Sequence, residues 1–318
     1  MNLRRLLGVA TLGTAGVVAA TRALGRSAGV LEPPLDGTHH TFRWRGMDVA
    51  YTEAGDPTAP DLVFLHGVNA AGSSGEFRAV FEDLAETHHV VAVDLPGFGL
   101  SDRPPLRYSA ALYEEFVAAF LADFEDPTVV ASGLTSAYAV AAAREDSDLV
   151  DRFVLLCPTA VAGPEPPKTW LRELFRAPVV GEALFALLAS KPSIRHFNAD
   201  HGYYDTGKLS AEWVDYEWRT AHQAGARYAP ASFVSGHLNS DVDLGDALAD
   251  LPVPTTLVWG REASVTPLAN GRDIAERADC RLVVVDDAKL LPHVEYPGTV
   301  VETVRDGVPA TAPATRGD

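Results

Sequence analysis

A hydroxyl, a carboxylate and an imidazole are the groups that nucleophilic acyl transfer requires: one attacks, one takes the proton and one orients the base. In this 318-residue sequence Ser132 or Ser136, Glu262 and His293 offer those groups in chain order. Little else could do chemistry. The two cysteines, Cys157 and Cys280, lie far apart, with no Cys-x-x-Cys and no His/Cys cluster at zinc-ligand spacing. A metal, a cofactor and a disulfide framework are therefore not expected. Cys157 closes a strand-like run and reads as a packing residue. The pairs His39-His40 and His88-His89 sit beside strand-like runs and read as strand-edge residues.

The elements that must hold these groups alternate between strand and helix. Phe42 to Trp44 and Met47 to Thr52 read as a hairpin turning at Arg45-Gly46. Short continuous apolar runs, Asp61-LVFLH-Gly67, His89-VVAVD-Leu95, Asp126-PTVVAS-Gly133 and Arg152-FVLLC-Pro158, are those of strands buried on both faces. Between them, Glu76 to Thr87, Ser109 to Phe124 and Thr135 to Arg144 have helical periodicity. From about Val161 to Ser240 helical stretches with Trp170, Trp213 and Trp218 replace the strands. The rhythm resumes at Pro254-TTLVWG-Arg261, a helix over Leu268 to Ala278, Arg281-LVVVD-Asp287 and a last helix near Pro297 to Val304. This predicts an α/β fold: a mostly parallel sheet, helices on both faces, and a helical cap after the fourth buried strand. The divisions are an N-terminal helix and linker (1–37), core (38–160), cap (161–240), core (241–307) and a disordered tail (308–318).

Charge narrows the partners. Acids number 43 against 26 bases, a net charge of −17, and no basic stripe exists to neutralise phosphates, so nucleic acid is not a partner. Only four bases are lysine, and aspartate outnumbers glutamate, as on the surfaces of salt-in halophiles, where salt screens self-repulsion. At the N-terminus Arg4-Arg5 precede an uncharged run from Leu6 to Thr21. Its 16 residues are short of the ~20 of a spanning helix. It predicts membrane association by a retained helix, the alternatives being a cleaved export signal or a plain amphipathic helix on a cytoplasmic protein. Leu31 to Gly37 reads as a linker.

Several motifs then fall into one order. His66-Gly67 follows the first buried strand, Asp94-LPGFGLSD-Arg103 the next, and Pro292-HVEY-Pro297 opens the last helix. In this order and spacing the chain resembles the α/β-hydrolase superfamily in its capped, single-domain form, from about Thr41 to Asp306. The resemblance implies an oxyanion loop at His66-Gly67, with the amides of Val68 and Leu134 facing a developing oxyanion. It also implies a triad of nucleophile, acid and histidine.

All three triad positions hold the wrong side chains. The family's small-x-Ser-x-small elbow falls on Ala131-Ser132-Gly133-Leu134-Thr135, placing Gly133 at the nucleophile. Centring on Ser132 or Ser136 would instead put Val130 and Leu134, or Leu134 and Tyr138, at the small positions. Glycine suits a turn that otherwise strains a side-chain-bearing residue. The acid position, four residues before Pro267, is Ala263, with Glu262 beside it. The histidine position, five before Glu295, is Leu290; His293 lies three further on, and Lys289 has no nucleophile to serve.

The expectation is a pseudo-hydrolase that binds a small apolar ligand or a protein partner, with Trp213, Trp218, Tyr203, Tyr204 and Tyr216 of the cap as candidate walls. The alternatives are an active esterase-like hydrolase with relocated groups (Ser132 or Ser136, Glu262, His293) and a membrane-bound scaffold.

Overall fold

Along each central strand, alternate residues enter two different cores, and this fixes a three-layer architecture. The computed structural model describes Gly16 and residues 23–306. The Leu6–Thr21 run, Gly16 apart, and the tail from 308 lie outside the described residues. The strands are β1 (Thr38–Trp44), β2 (Met47–Ala54), β3 (Asp61–Leu65), β4 (His89–Val93), β5 (Thr128–Ser132), β6 (Arg152–Leu156), β7 (Thr255–Gly260) and β8 (Arg281–Val285). Val63, Leu65, Val129, Ala131, Phe153 and Leu155 face one core, with the helices Ala110–Leu121 and Thr135–Glu145. Leu62, Phe64, Val130, Val154 and Leu156 face the other, with Phe77, Phe81, Val300 and Val304. This period of two, apolar on both sides, is what the continuous hydrophobic runs encode.

The eight strands are ordered β1-β2-β4-β3-β5-β6-β7-β8. β1 and β2 are antiparallel and β2 is antiparallel to β4; the remaining pairings are parallel. The expected hairpin forms, with Arg45 and Gly46 both at positive φ. The chain runs outward from β3 to β4 and then crosses back to β5, so β3 and β5 flank the switch point of the sheet. Crevices form at the carboxyl ends of such strands. There Leu65 pairs with Ala131, bringing His66-Gly67 beside Ser132-Gly133.

The cap is inserted between β6 and β7, with helices Thr169–Arg176, Val180–Leu188, Lys191–Phe197, Ala211–Ala221 and Tyr228–Val234. Phe185, Ala189, Ala221 and Ala226 form a small core with Ala71 of the main body. Among the described residues no helix is long and apolar enough to cross a membrane.

Two expectations need correction. Leu31 to Gly37 is not a free linker: Leu31 and Leu35 are buried, and Leu35 joins the core beneath the sheet. Its apolar side chains gain more by packing than an extended tether would. The expected helix over Glu76 to Thr87 is broken into a 3-10 turn, Ser74–Phe77, and a short helix, Phe81–Ala85. Glu76 lies in the 3-10 turn with its side chain buried.

Candidate active site

β5 is buried throughout and ends at Ser132; the chain turns at Gly133 and enters the Thr135–Glu145 helix. Gly133 has φ +55°, in the left-handed region that an L side chain resists. Neither Ser132 nor Ser136 occupies that turn: Ser132 is the last residue of β5 and Ser136 lies inside the following helix. A β-carbon built on Gly133 would meet nothing within 4 Å. The turn after β5 therefore faces open space and carries no side chain.

The loop that follows β3 is held by His66. Its Nε2 accepts from the Leu95 amide at 3.1 Å, so the ring proton sits on Nδ1, which donates to Gly67 O at 2.8 Å. Thr135 Oγ1 donates to His66 O at 2.7 Å, tying the loop to the elbow helix. The Val68 and Leu134 amides have no backbone acceptor among the described residues. Two unspent donors beside the elbow are what an oxyanion site requires.

Ala263 and Leu290, the expected acid and histidine positions, also lie beyond the carboxyl ends of strands. Ala263 follows β7 and is buried. Leu290 follows β8, packs against the main core, and its amide donates to His201 O of the cap at 3.3 Å. Cys157 lies among them, accepting from Gly260 N–H at 3.5 Å; burial pushes its thiol up to about 12, so it stays a thiol.

The relocated trio does not assemble. Ser136 is fully buried and donates to Ala131 O at 3.1 Å. Glu262 is exposed on its loop. Lys289 Nζ donates to Ala199 O and Asp200 O, at 2.7 and 2.9 Å, which ties it to the cap. No hydrogen bond joins Ser132 to His293 among the described residues. Instead, His293 Nε2 lies 3.4 Å from Glu76 Oε1. Glu76 Oε2 accepts from Gly67 N–H at 3.0 Å, and the Ser132 hydroxyl lies beside the same carboxylate. Burial pushes the Glu76 carboxyl up, but His293, Ser132 and His66 together outweigh it and hold it below the usual carboxylate range. A β-carbon on Gly67 would stand 3.2 Å from Glu76 Oε2 and 3.3 Å from Ser132 Oγ, which is why glycine follows His66.

The cap adds a second buried acid. Glu217, on the Ala211–Ala221 helix, accepts from Asn198 Nδ2 at 2.7 Å, and burial pushes its carboxyl up to about 7. Arg78 donates to Tyr203 Oη at 2.9 Å and lies over the Trp213 ring at 3.7 Å. Of the expected cap aromatics, Tyr203 is fully buried and Tyr216 faces Ser73, whereas Tyr204 is exposed and Trp218 stacks on His222. A concavity of about 660 Å³ opens at the rim, between Pro34, Arg78, Trp213 and Arg219.

Glu76 and Glu217 were not singled out in the sequence, yet both leave a mark there. Each sits on an apolar stripe: Glu76 four residues before Val80, and Glu217 between Val214 and Ala221. Among the described residues no cluster of three or more His, Cys, Asp or Glu could hold a metal.

Comparison with known proteins agrees with this fold. The profile of the Alpha/beta hydrolase family matches residues 62–303. The pimeloyl-[acyl-carrier protein] methyl ester esterase of Aeromonas hydrophila is 29% identical over 257 residues, 77% of this chain and 94% of that protein. The uncharacterized hydrolase YugF of Bacillus subtilis is 23% identical, covering 83% of this chain and 96% of its own. An uncharacterized protein of Mycobacterium tuberculosis is 32% identical over 131 residues, 40% of this chain; the match spans 37% of that protein's length. Among solved structures, Cfl2 of Burkholderia cenocepacia superposes with TM-score 0.69 at 22% identity, over 87% of this chain and 97% of its own. A membrane phospholipase A described as a bacterial virulence factor superposes with TM-score 0.65 at 21% identity, over 96% of this chain and 94% of its own.

Proposed function

The chain belongs to the alpha/beta hydrolase family, and from that premise we propose that it is catalytically inactive as a serine hydrolase and binds a small apolar ligand at the crevice between core and cap. The observation that carries this reading is Gly133, which occupies the elbow at φ +55° with open space where a nucleophile would stand. A glycine has no atom to attack a carbonyl. The family's chemistry acts as a unit, and losing its triad costs about 10⁶ in kcat. The retained amides of Val68 and Leu134 would hold a ligand's carbonyl oxygen without turning the ligand over.

A second reading, an esterase-like enzyme with relocated groups, draws support from Ser132, Glu76 and His293 being buried together. Its weakness is their order. The carboxylate stands between hydroxyl and imidazole, whereas a serine is activated by an imidazole that takes its proton.

Turnover of p-nitrophenyl acetate, together with labelling by a fluorophosphonate, separates the two. The inactive reading expects no label, and release no more than about 10³-fold over water, unchanged in Ser132→Ala. Turnover of ~1–10³ s⁻¹ lost in Ser132→Ala would establish the enzyme. We also read the surface, acidic and nearly free of lysine, as suited to molar salt.

A further inference from the structure

The cap carries an apolar ridge that a ligand at the elbow does not explain. The Val180–Leu188 helix buries Phe185 in the small cap core with Ala221 and Ala226, and exposes Val180, Leu184 and Leu187. These three sit at the i, i+4, i+7 spacing of one helical face, with Leu187 71% exposed. Residues 177–190 contain one charge, Glu182, and it is paired with Arg227 at 3.1 Å. In a chain of net charge −17, so bare a stretch is a local exception.

The N-terminal segment is held by the cap helix whose Ala221 packs against Phe185 of the ridge helix. Residues 23–28 are helical, with Leu24 exposed. Arg219 donates to Ala28 O at 3.0 Å and also to Val30 O, and Gln223 Nε2 donates to Gly29 O at 3.1 Å. Residues 219–223 thus grip the chain that leads back to Leu6–Thr21, while Ala221 and Ala226 support the ridge helix. Both features meet around one turn of the cap.

We propose that the ridge docks on a membrane surface, with Val180, Leu184 and Leu187 entering the headgroup–acyl boundary of the bilayer that the Leu6–Thr21 run engages. Sixteen uncharged residues are too few for a secure span. A single weak anchor attaches reversibly, and a second contact makes attachment stable. The net charge of −17 repels anionic lipid, so the matching surface is zwitterionic.

The test is flotation of the full-length protein with phosphatidylcholine vesicles. Leu184→Glu/Leu187→Glu should lower the vesicle-bound fraction about tenfold or more, with an unchanged thermal melt. In a Cys280→Ser background, a nitroxide at Leu187→Cys should gain contact with oxygen and lose contact with an aqueous nickel chelate when vesicles are added. Equal flotation of wild type and double variant overturns the proposal. So does a nitroxide already shielded without lipid, which would mean that the N-terminal run or a second copy covers the ridge.

Discussion

The Nε2 atom of His293 lies 3.4 Å from Oε1 of Glu76, with the imidazole fully sealed from solvent and the carboxylate nearly so. The two residues come from opposite ends of the fold, one from the turn after β3 and the other from the segment after β8. The same carboxylate takes the Gly67 amide, so the pair ties the loop after β3 to the segment after β8.

Breaking that pair should be costly, because the remaining partner is left buried and alone. Glu76→Ala and His293→Ala should each destabilise by about 1–3 kcal/mol, and the double variant by less than the sum. Urea unfolding of the four proteins measures this, and strict additivity would refute the coupling. Since the folded carboxyl is held below its usual range, its contribution is complete above the unfolded carboxylate value. It is lost as pH falls through the lower, folded value.

Glu217 should act with the opposite sign. Its folded carboxyl is pushed up to about 7 by burial, above the ordinary 4.5. The native state therefore binds more protons between those values, and stability falls as pH rises from about 4.5 through about 7. The ceiling is about 3 kcal/mol. Glu217→Gln keeps the Asn198 contact without the charge. Urea midpoints from pH 4 to pH 8 should fall in the natural protein by more than in the variant; parallel curves would remove Glu217 as the cause.

Restoring a side chain at the elbow should be tolerated. Gly133→Ser meets no atom within 4 Å and carries only the strain of positive φ, about 1 kcal/mol. A modest drop in melting temperature and no gain in ester hydrolysis are expected. Activity should require Ala263→Asp and Leu290→His as well, because the three groups act as a unit. A single Gly133→Ser variant that hydrolyses p-nitrophenyl acetate at the natural enzymes' ~1–10³ s⁻¹ would show that the other two positions are dispensable.

Salt should stabilise the fold. Self-repulsion at −17 is screened within about 3 Å at molar ionic strength. The melting temperature should rise from dilute buffer to molar potassium chloride; a flat curve would count against the halophilic reading.

The local pattern was enough to read the mostly parallel sheet with its helices and to place Gly133 at the turn that follows β5. Period-two burial, the His66-Gly67 segment and the small-residue spacing around Gly133 all depend on neighbours a few residues away. Tertiary structure alone decided where Glu76, Glu217, His293 and Leu35 would go. Glu76 has a buried partner far along the chain, Glu217 is enclosed where cap meets core, and Leu35 leaves its supposed linker for the core beneath the sheet. A charged or tethering residue is solvated by default. Whether it is buried depends on what the rest of the fold brings to it, and that information lies in contacts between distant segments.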